Sequence, residues 1–119
     1  MITYQSQAGS PVVELRVEGR VTDAELVANV DRLRTDLEVN GKSRLIEIIE
    51  NFTGIEPAAI WSDVRLGLPL AQKVERVAVV ADQAWIRTLT HLGPLFTRAE
   101  IRSFAPAELD EARRWIGMA

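Results

Sequence analysis

The 119-residue chain contains no cysteine and a single histidine, so most side chains used for metal and covalent chemistry are missing. Without cysteine, disulfides, thiolate zinc sites and cysteine nucleophiles are excluded. His91 would have to serve any Ser/His/Asp triad or histidine metal site, and no carboxylate stands three or four residues after it. Its place before Gly93 is typical of a helix C-terminus. We therefore expect no catalytic residue, no metal and no cofactor, and not an enzyme.

An excess of basic residues and a long apolar run are also missing. The net charge is −3, and the basic residues are scattered among acids, which argues against a nucleic-acid partner. No apolar run approaches the roughly 18–20 residues of a transmembrane segment. The first residues lack the basic and apolar regions of a signal sequence. We expect a single cytoplasmic domain spanning residues 1–119, with an ordinary 47% of hydrophobic residues.

The first part of the chain predicts a β-hairpin. Residues 2–7 alternate weakly, a turn cluster follows at residues 8–11, and apolar and charged residues then alternate regularly to residue 18. The charged side chains of the second strand are Glu14, Arg16 and Glu18. They could form a charged binding stripe, but a solvated outer face is the preferred interpretation.

The next segment predicts an amphipathic helix that begins after Thr22 and ends near Asn40 and Gly41. Thr22 and Glu25 have the spacing of a capping box, in which each side chain accepts a hydrogen bond from the other residue's backbone N–H. Apolar residues then recur at spacings of four, three and four, which gives one buried stripe.

Two apolar runs, residues 45–49 and 77–80, predict buried strands that lie side by side and parallel. Glu47 interrupts the first run, and a carboxylate there requires a partner or a partly open face. We favour the open face, because a sheet with helices mainly on one side would produce it. The strand is expected to break at a turn over residues 51–54, and a helix restarts behind Pro57.

The remaining elements complete an α/β fold. Gly67 and Pro69 predict a kink or a stop in the second helix. A third helix is expected after Asp82, a short edge strand at residues 101–104, and a last helix from Pro106. The predicted architecture is a mixed β-sheet, with an antiparallel N-terminal hairpin and then parallel βαβ units, backed by about four helices.

Aromatic and leucine side chains of the second and third helices form the candidate interaction surface. If the two helices are neighbours, these side chains could wall one apolar surface. They are Trp61, Leu66, Leu68, Leu70, Trp85 and Leu92. The surface could be a ligand cleft, a dimer patch or simple core, and Trp115 is expected to be core.

Several segments together resemble the SpoIIAA-like family of small bacterial proteins, which are related to STAS domains and more distantly to the CRAL-TRIO fold. The matching segments are Gly19, Gly41-Lys42, Phe52-Thr53-Gly54, residues 59–63, residues 75–82 with Trp85, residues 100–104, and Glu108 with Ala112-Arg113 and Trp115. The resemblance spans nearly the whole chain. It implies a mixed sheet backed by helices and leaves the biochemical role unassigned.

The resemblance also carries expectations about function. The first hypothesis is a non-enzymatic SpoIIAA-like domain that acts by protein–protein interaction or regulation, and we expect a homodimer or a complex with another regulatory protein. The CRAL-TRIO kinship supports an alternative, a carrier of a lipid or another apolar ligand. STAS antagonists are phosphorylated on a hydroxyl in the turn after the central strand, where this chain has Thr53. Only the hydroxyl and the following Gly54 are kept, so Thr53 is a candidate phospho-acceptor that a turn or capping role explains better.

Overall fold

The computed structural model describes residues 1–82, 84 and 99–117, and it contains one five-stranded sheet. The strands are β1 (Ile2–Ser6), β2 (Val12–Val21), β3 (Arg44–Ile55), β4 (Arg76–Val80) and β5 (Glu100–Phe104), in that spatial order. β1 and β2 pair antiparallel, and every later pair is parallel. The predicted hairpin, mixed sheet and terminal edge strand are confirmed.

Three α-helices lie within the described residues. They are α1 (Asp23–Glu38), α2 (Pro57–Ala71) and α3 (Leu109–Ile116), and the 3-10 turn Pro106–Glu108 precedes the last. About four helices were expected. The helix predicted after Asp82, with its Trp85 and Leu92, falls on residues outside the described part.

The two apolar runs lie side by side, as predicted. Leu45 pairs with Val77 and Ile48 with Val80 in the parallel β3–β4 ladder. Leu45 and Ile48 point to opposite faces of β3 and are 8% and 1% exposed, which is the burial that a strand covered on both faces requires.

Helices cover both faces of the sheet, so the expectation of helices mainly on one side was wrong. Alternate side chains of each strand point to opposite faces. On one face α3 closes a core of Val12, Ile46, Ile48, Ala78, Val80, Phe104, Ala112 and Ile116. On the other face α1 contributes Leu33 and Leu37 to a core around Tyr4, Val13, Leu45 and Val74. Trp115 packs against the first core, with its ring 6.0 Å from that of Phe104, as expected for a core tryptophan.

The predicted solvated face of β2 is wrong for Glu14. Its side chain is 5% exposed, because α3 lies over this part of the sheet. Arg113 of α3 compensates the desolvation of this carboxylate through two contacts. Its Nε donates to Oε1 of Glu14 at 3.1 Å, and a terminal nitrogen donates to Oε2 at 3.4 Å. Arg16 is paired as well, to Glu50 at 2.8 Å. A distant helix therefore decided the burial of a residue whose local pattern looked solvated.

The N-terminal cap of α1 is half as predicted. The Thr22 hydroxyl accepts a hydrogen bond from the backbone N–H of Glu25 at 3.2 Å. The Glu25 carboxylate does not reach back to Thr22, because it accepts from the backbone N–H of Ile2 and lies 3.6 Å from the terminal ammonium of Met1. The helix start is thereby tied to the edge strand β1.

One expectation near α2 was wrong, and of the kink or stop expected at Gly67 and Pro69 the stop is excluded. The segment 51–54 is not a turn, because β3 continues to Ile55 and pairs with the last residues of β2 through a bulged register. Asn51 and Gly54 take positive φ values of 47° and 154° there, which absorb the irregularity. α2 does not stop near Gly67 but continues two residues past Pro69 to Ala71. Leu70, 4% exposed, anchors this last turn, and burying a leucine offsets much of the roughly 3 kcal/mol that an interior proline costs.

None of the helices described is long and apolar enough to cross a membrane.

Candidate functional site

α2 is held by a small set of polar contacts at its N-terminus. Pro57 occupies its first turn, and the preceding Glu56 accepts a hydrogen bond from the backbone N–H of Asp23 at 2.8 Å. The Ser62 hydroxyl, 5% exposed, donates to the Asp23 carboxylate at 2.6 Å. The backbone N–H of Glu56 donates to the carbonyl of Val21 at 2.9 Å. These bonds join the starts of α1 and α2 and fix which side of α2 faces inward.

The inward side of α2 is formed by three buried residues. Ala59, Ser62 and Leu70 are 0%, 5% and 4% exposed. At 100° per residue they fall on one side of the helix, which packs against α1.

The opposite side of α2 is apolar and open to solvent. Trp61 is 74% exposed, Ile60 49% and Val64 42%. Pro57 is exposed and Leu68 partly exposed on the same side. We call these five residues the outer face of α2. Large apolar side chains normally face inward, so a contiguous set that faces outward is a candidate interaction site.

The charged residues of α2 differ in their position. Arg65 is exposed and lies next to Trp61 and Leu68 at the edge of the outer face. Asp63 is also accessible to solvent, but at helical spacing it falls beside the buried Leu70, on the side of α2 nearer Glu47. Within the described residues neither makes a hydrogen bond or an ion pair.

Glu47 is the second unusual feature near α2. It lies between Leu15 of β2 and Val79 of β4, on the sheet face that α1 covers. Its side chain is half-buried and makes no hydrogen bond within the described residues. Desolvation, followed by repulsion from Asp63, raises the pKa of Glu47 to about 7, and burial also raises the pKa of Asp63. The favoured alternative, an open face, holds only in part, because α1 covers this face and Glu47 is half-buried.

A polar cluster on the same sheet face has a structural role. The Tyr4 hydroxyl donates to the Asp36 carboxylate, which also accepts from Asn40 at 2.8 Å. The Arg32 guanidinium lies 4.2 Å from the centre of the Tyr4 ring. Burial opposes ionisation of Asp36, but these hydrogen bonds and the charges of Lys42 and Arg32 lower its pKa overall. The cluster ties β1 to α1 through groups that satisfy one another.

No group of three His, Cys, Asp or Glu side chains that could hold a metal ion occurs in residues 1–82, 84 and 99–117. His91, considered above for catalysis, lies outside the described part.

Comparison with known proteins identifies the family. A family model described as SpoIIAA-like matches residues 12–117. The chain belongs to the SpoIIAA-like family. No curated protein matches its sequence.

Solved structures share the fold of this SpoIIAA-like domain. An uncharacterized protein of the DUF3478 family with a SpoIIAA-like fold, from Shewanella loihica PV-4, aligns with a TM-score of 0.76 at 21% identity. The alignment covers 98% of this chain and 92% of that one. The anti-sigma factor antagonist SpoIIAA in its unphosphorylated form gives 0.63 at 11% identity, covering 96% and 98%. The Bacillus cell fate determinant SpoIIAA in its phosphorylated form gives 0.60 at 11% identity, covering 93% and 97%. At these identities the likeness concerns the fold.

Thr53 of the SpoIIAA-like domain is exposed within β3 rather than in a turn. Its neighbours Phe52 and Gly54 pair with Gly19 and Arg20 of β2. It is separated from the start of α2 by Gly54, Ile55 and Glu56, so a turn or capping role does not explain it. Its modification stays a prediction.

The leucine and tryptophan residues predicted to form one surface are divided by the structure. Trp61 is on the outer face with Leu68, whereas Leu70 is buried and Leu66 partly buried. Trp85 and Leu92 lie outside the described residues.

Sequence reasoning missed part of this SpoIIAA-like site. The predicted surface includes Trp61 and Leu68 but not Ile60 and Val64, which are exposed beside them. It also did not connect Glu47 with Asp63. The available signal was that apolar residues surround almost the whole circumference of α2, more than one buried side can use.

Proposed function

We propose that this SpoIIAA-like domain is a non-enzymatic cytoplasmic interaction protein that binds a protein partner through the outer face of α2. The observation that supports the proposal is the 74% exposure of Trp61 beside the exposed side chains of Ile60 and Val64. Soluble monomers rarely expose large contiguous apolar patches, and such patches usually belong to interaction sites.

The outer face has the composition of a binding hot spot. Tryptophan is enriched among the residues that dominate interface energies, and aliphatic neighbours exclude water around it. Trp61 also stands on a helix whose opposite side is buried at Ala59 and Leu70, so the anchor is presented rigidly. A partner that fits this face has an uncharged apolar ridge or helix side, since a charge placed against it would be desolvated without compensation.

Site-specific photo-crosslinking in the native cell tests the proposal. A benzophenone amino acid replaces Trp61 in one variant and Val64 in a second. The matched control replaces Val39, which is 75% exposed and apolar but lies at the end of α1. We expect discrete protein adducts from positions 61 and 64 and none from position 39. Equal adduct formation at all three positions, or none at 61 and 64, would overturn the proposal.

The alternative function, a carrier of a lipid or other apolar ligand, is not favoured by an observation within the described residues. A small depression, partly open to solvent, lies at the β1–β2 hairpin and is lined by Gln5, Ser6, Gln7, Ser10 and Val12. Its volume of about 40 Å³ is far below the roughly 300 Å³ at which ligand pockets begin, so it does not suit a lipid or another apolar ligand of that size. Organic extraction of the native protein, followed by mass spectrometry, tests the carrier function: a stoichiometric lipid would support it.

A further inference from the structure

We infer that Asn40 is a site of spontaneous deamidation, and that the carboxylate formed there loosens the contact between the C-terminus of α1 and the N-terminal hairpin. This inference is independent of the partner contact proposed for α2, because Asn40 lies just after the end of α1.

Asn40 is followed by the residue that hinders deamidation least. The reaction begins when the backbone nitrogen of the next residue attacks Cγ of the asparagine side chain. Gly41 has no Cβ to obstruct this approach. The other two asparagines of the chain, Asn29 and Asn51, precede a valine and a phenylalanine, whose side chains do obstruct it. The sequence therefore favours Asn40 over both.

The structure leaves the reacting groups accessible. Asn40 and Gly41 are both exposed, and apart from its chain neighbours no heavy atom lies within 4 Å of the position that a Cβ of Gly41 would occupy. The Gly41 N–H makes no hydrogen bond within the described residues, so its nitrogen is free to move toward Cγ. The residue after Asn29, in contrast, lies inside α1, where its N–H is bonded within the helix. The residue after Asn51 is paired with Gly19 in the β2–β3 ladder.

The reaction needs only water as a co-reactant. The Gly41 nitrogen forms a bond to Cγ of Asn40 and gives up its proton to solvent base, while the Cγ–Nδ2 bond breaks and ammonia leaves with a proton from solvent. Water then opens the resulting cyclic imide at one of its two carbonyls. The product at position 40 is either aspartate or isoaspartate, in which the main chain runs through Cγ. Both products carry a negative charge that asparagine lacks.

The new carboxylate meets an acid that is already buried. Nδ2 of Asn40 donates to Oδ1 of Asp36 at 2.8 Å, and Asp36, which is 7% exposed, also accepts a hydrogen bond from the Tyr4 hydroxyl. Deamidation replaces the amide donor with a second carboxylate, so a hydrogen bond becomes a repulsion between like charges. Because Tyr4 belongs to β1, this repulsion weakens the hold of α1 on the edge strand.

A second tie between α1 and the hairpin passes through Lys42. Its side chain is 7% exposed, and Nζ donates to the backbone carbonyls of Gln7 and Ser10 in the hairpin turn. Its backbone N–H donates to the carbonyl of Asp36 at 3.0 Å. Isoaspartate at position 40 lengthens the main chain between Asp36 and Lys42 by a methylene group, which displaces this bond. Either product of deamidation therefore acts on the joint between α1 and the hairpin.

Peptide mapping by mass spectrometry tests the modification. The purified folded chain is incubated at neutral and at mildly alkaline pH and digested in heavy-oxygen water, which marks any conversion that occurs during digestion. We expect loss of the amide at Asn40, faster at the higher pH because base removes the proton of the attacking nitrogen, while Asn29 and Asn51 of the same molecules keep theirs. Asn40→Gln keeps the amide but would require a larger ring, so position 40 should then stay unconverted. Conversion of Asn40 no faster than that of Asn29 and Asn51 would overturn the inference.

Asn40→Asp tests the consequence for the fold, by urea unfolding and by hydrogen exchange of β1. We expect a lower urea midpoint and faster exchange in Ile2–Ser6 than in wild type. Val39→Asp adds the same charge at the preceding residue, which is 75% exposed, and should change both quantities less. Asn40→Gln adds no charge and should stay closer to wild type. If Asn40→Asp matches wild type, or if Val39→Asp has the same effect as Asn40→Asp, the carboxylate does not act through Asp36 and this part of the inference is wrong.

Discussion

Replacing Glu47 by glutamine should stabilise the protein at neutral and alkaline pH. Glu47 lies among Leu15 and Val79 in the middle of the sheet, without a hydrogen bond within the described residues. Desolvation first, and then the charge of Asp63, disfavours its ionised form. Glutamine has nearly the same shape and carries no charge at any pH, so Glu47→Gln removes the cost of ionisation with little change in packing.

The sign and size of this change in the free energy of unfolding follow from proton linkage. The pKa of Glu47 is about 7 in the folded protein, against an ordinary value of 4.5. Between these two values the folded state keeps a proton that the unfolded state has lost, so the free energy of unfolding falls as pH rises. The full loss is up to about 3 kcal/mol, complete just above pH 7 and absent below about pH 4.5. Partial solvation of the side chain makes this an upper bound.

Urea unfolding followed by tryptophan fluorescence between about pH 5 and pH 8 measures the effect. Wild type should lose stability over this range, and the Glu47→Gln variant should lose much less, so that the two curves meet near pH 5 and diverge above it. Asp63→Asn removes the repulsion together with the cost of ionising Asp63 itself, leaves the desolvation of Glu47 in place, and should give a change in the same direction. If the wild-type and Glu47→Gln curves run parallel, Glu47 does not hold its proton in the folded protein and the reasoning is wrong.

Three further substitutions test the forces that hold the fold, each by chemical unfolding. Thr22→Ala removes the helix cap and should cost about 1 kcal/mol, with Thr22→Ser retaining most of the stability. Ile46→Ala, at a side chain with 0% exposure, should cost about 2–5 kcal/mol, whereas Trp61→Ala should change stability by less than about 0.5 kcal/mol; the reverse order would contradict the assigned burial. Arg113→Met leaves the buried Glu14 carboxylate without its partner and should cost about 2 kcal/mol or more. Adding Glu14→Gln should recover part of that loss, and equal losses in the single and double variants would show that the ion pair is not coupled.

The fold could be predicted from the sequence because the spacing and the type of the apolar residues in each element indicate which of its sides are buried. The β-branched runs around Ile48 and Val80 are apolar on both sides of the strand, which only a covered sheet position satisfies. Thr22 marked the start of α1, and the regular apolar stripe placed its end within two residues of the observed one. These signals are local, and the tertiary structure agrees with them.

The errors arose where a distant element decides the outcome. Nothing near Glu14 in the sequence indicates that Arg113, 99 residues later, covers it. The segment 51–54 has turn-forming residues, yet β2 extends as far as Val21. The segment therefore pairs with the end of β2 as a strand and does not form a turn. In the same way Leu70 holds the last turn of α2 in place despite Pro69. Packing and ladder formation outweighed local propensity in all three cases.

The candidate site shows why composition located α2 but not its exposed side. α2 is apolar at Ala59 and Leu70, which are buried, and equally apolar at Trp61 and Val64, which are not. Periodicity cannot decide which of two apolar sides faces inward, because both satisfy the same helical spacing. The decision comes from the polar contacts of Ser62, whose hydroxyl bonds across to α1 and turns the Trp61 side outward. The outward tryptophan, opposite an inner side held by these contacts, is the observation on which the proposed partner contact rests.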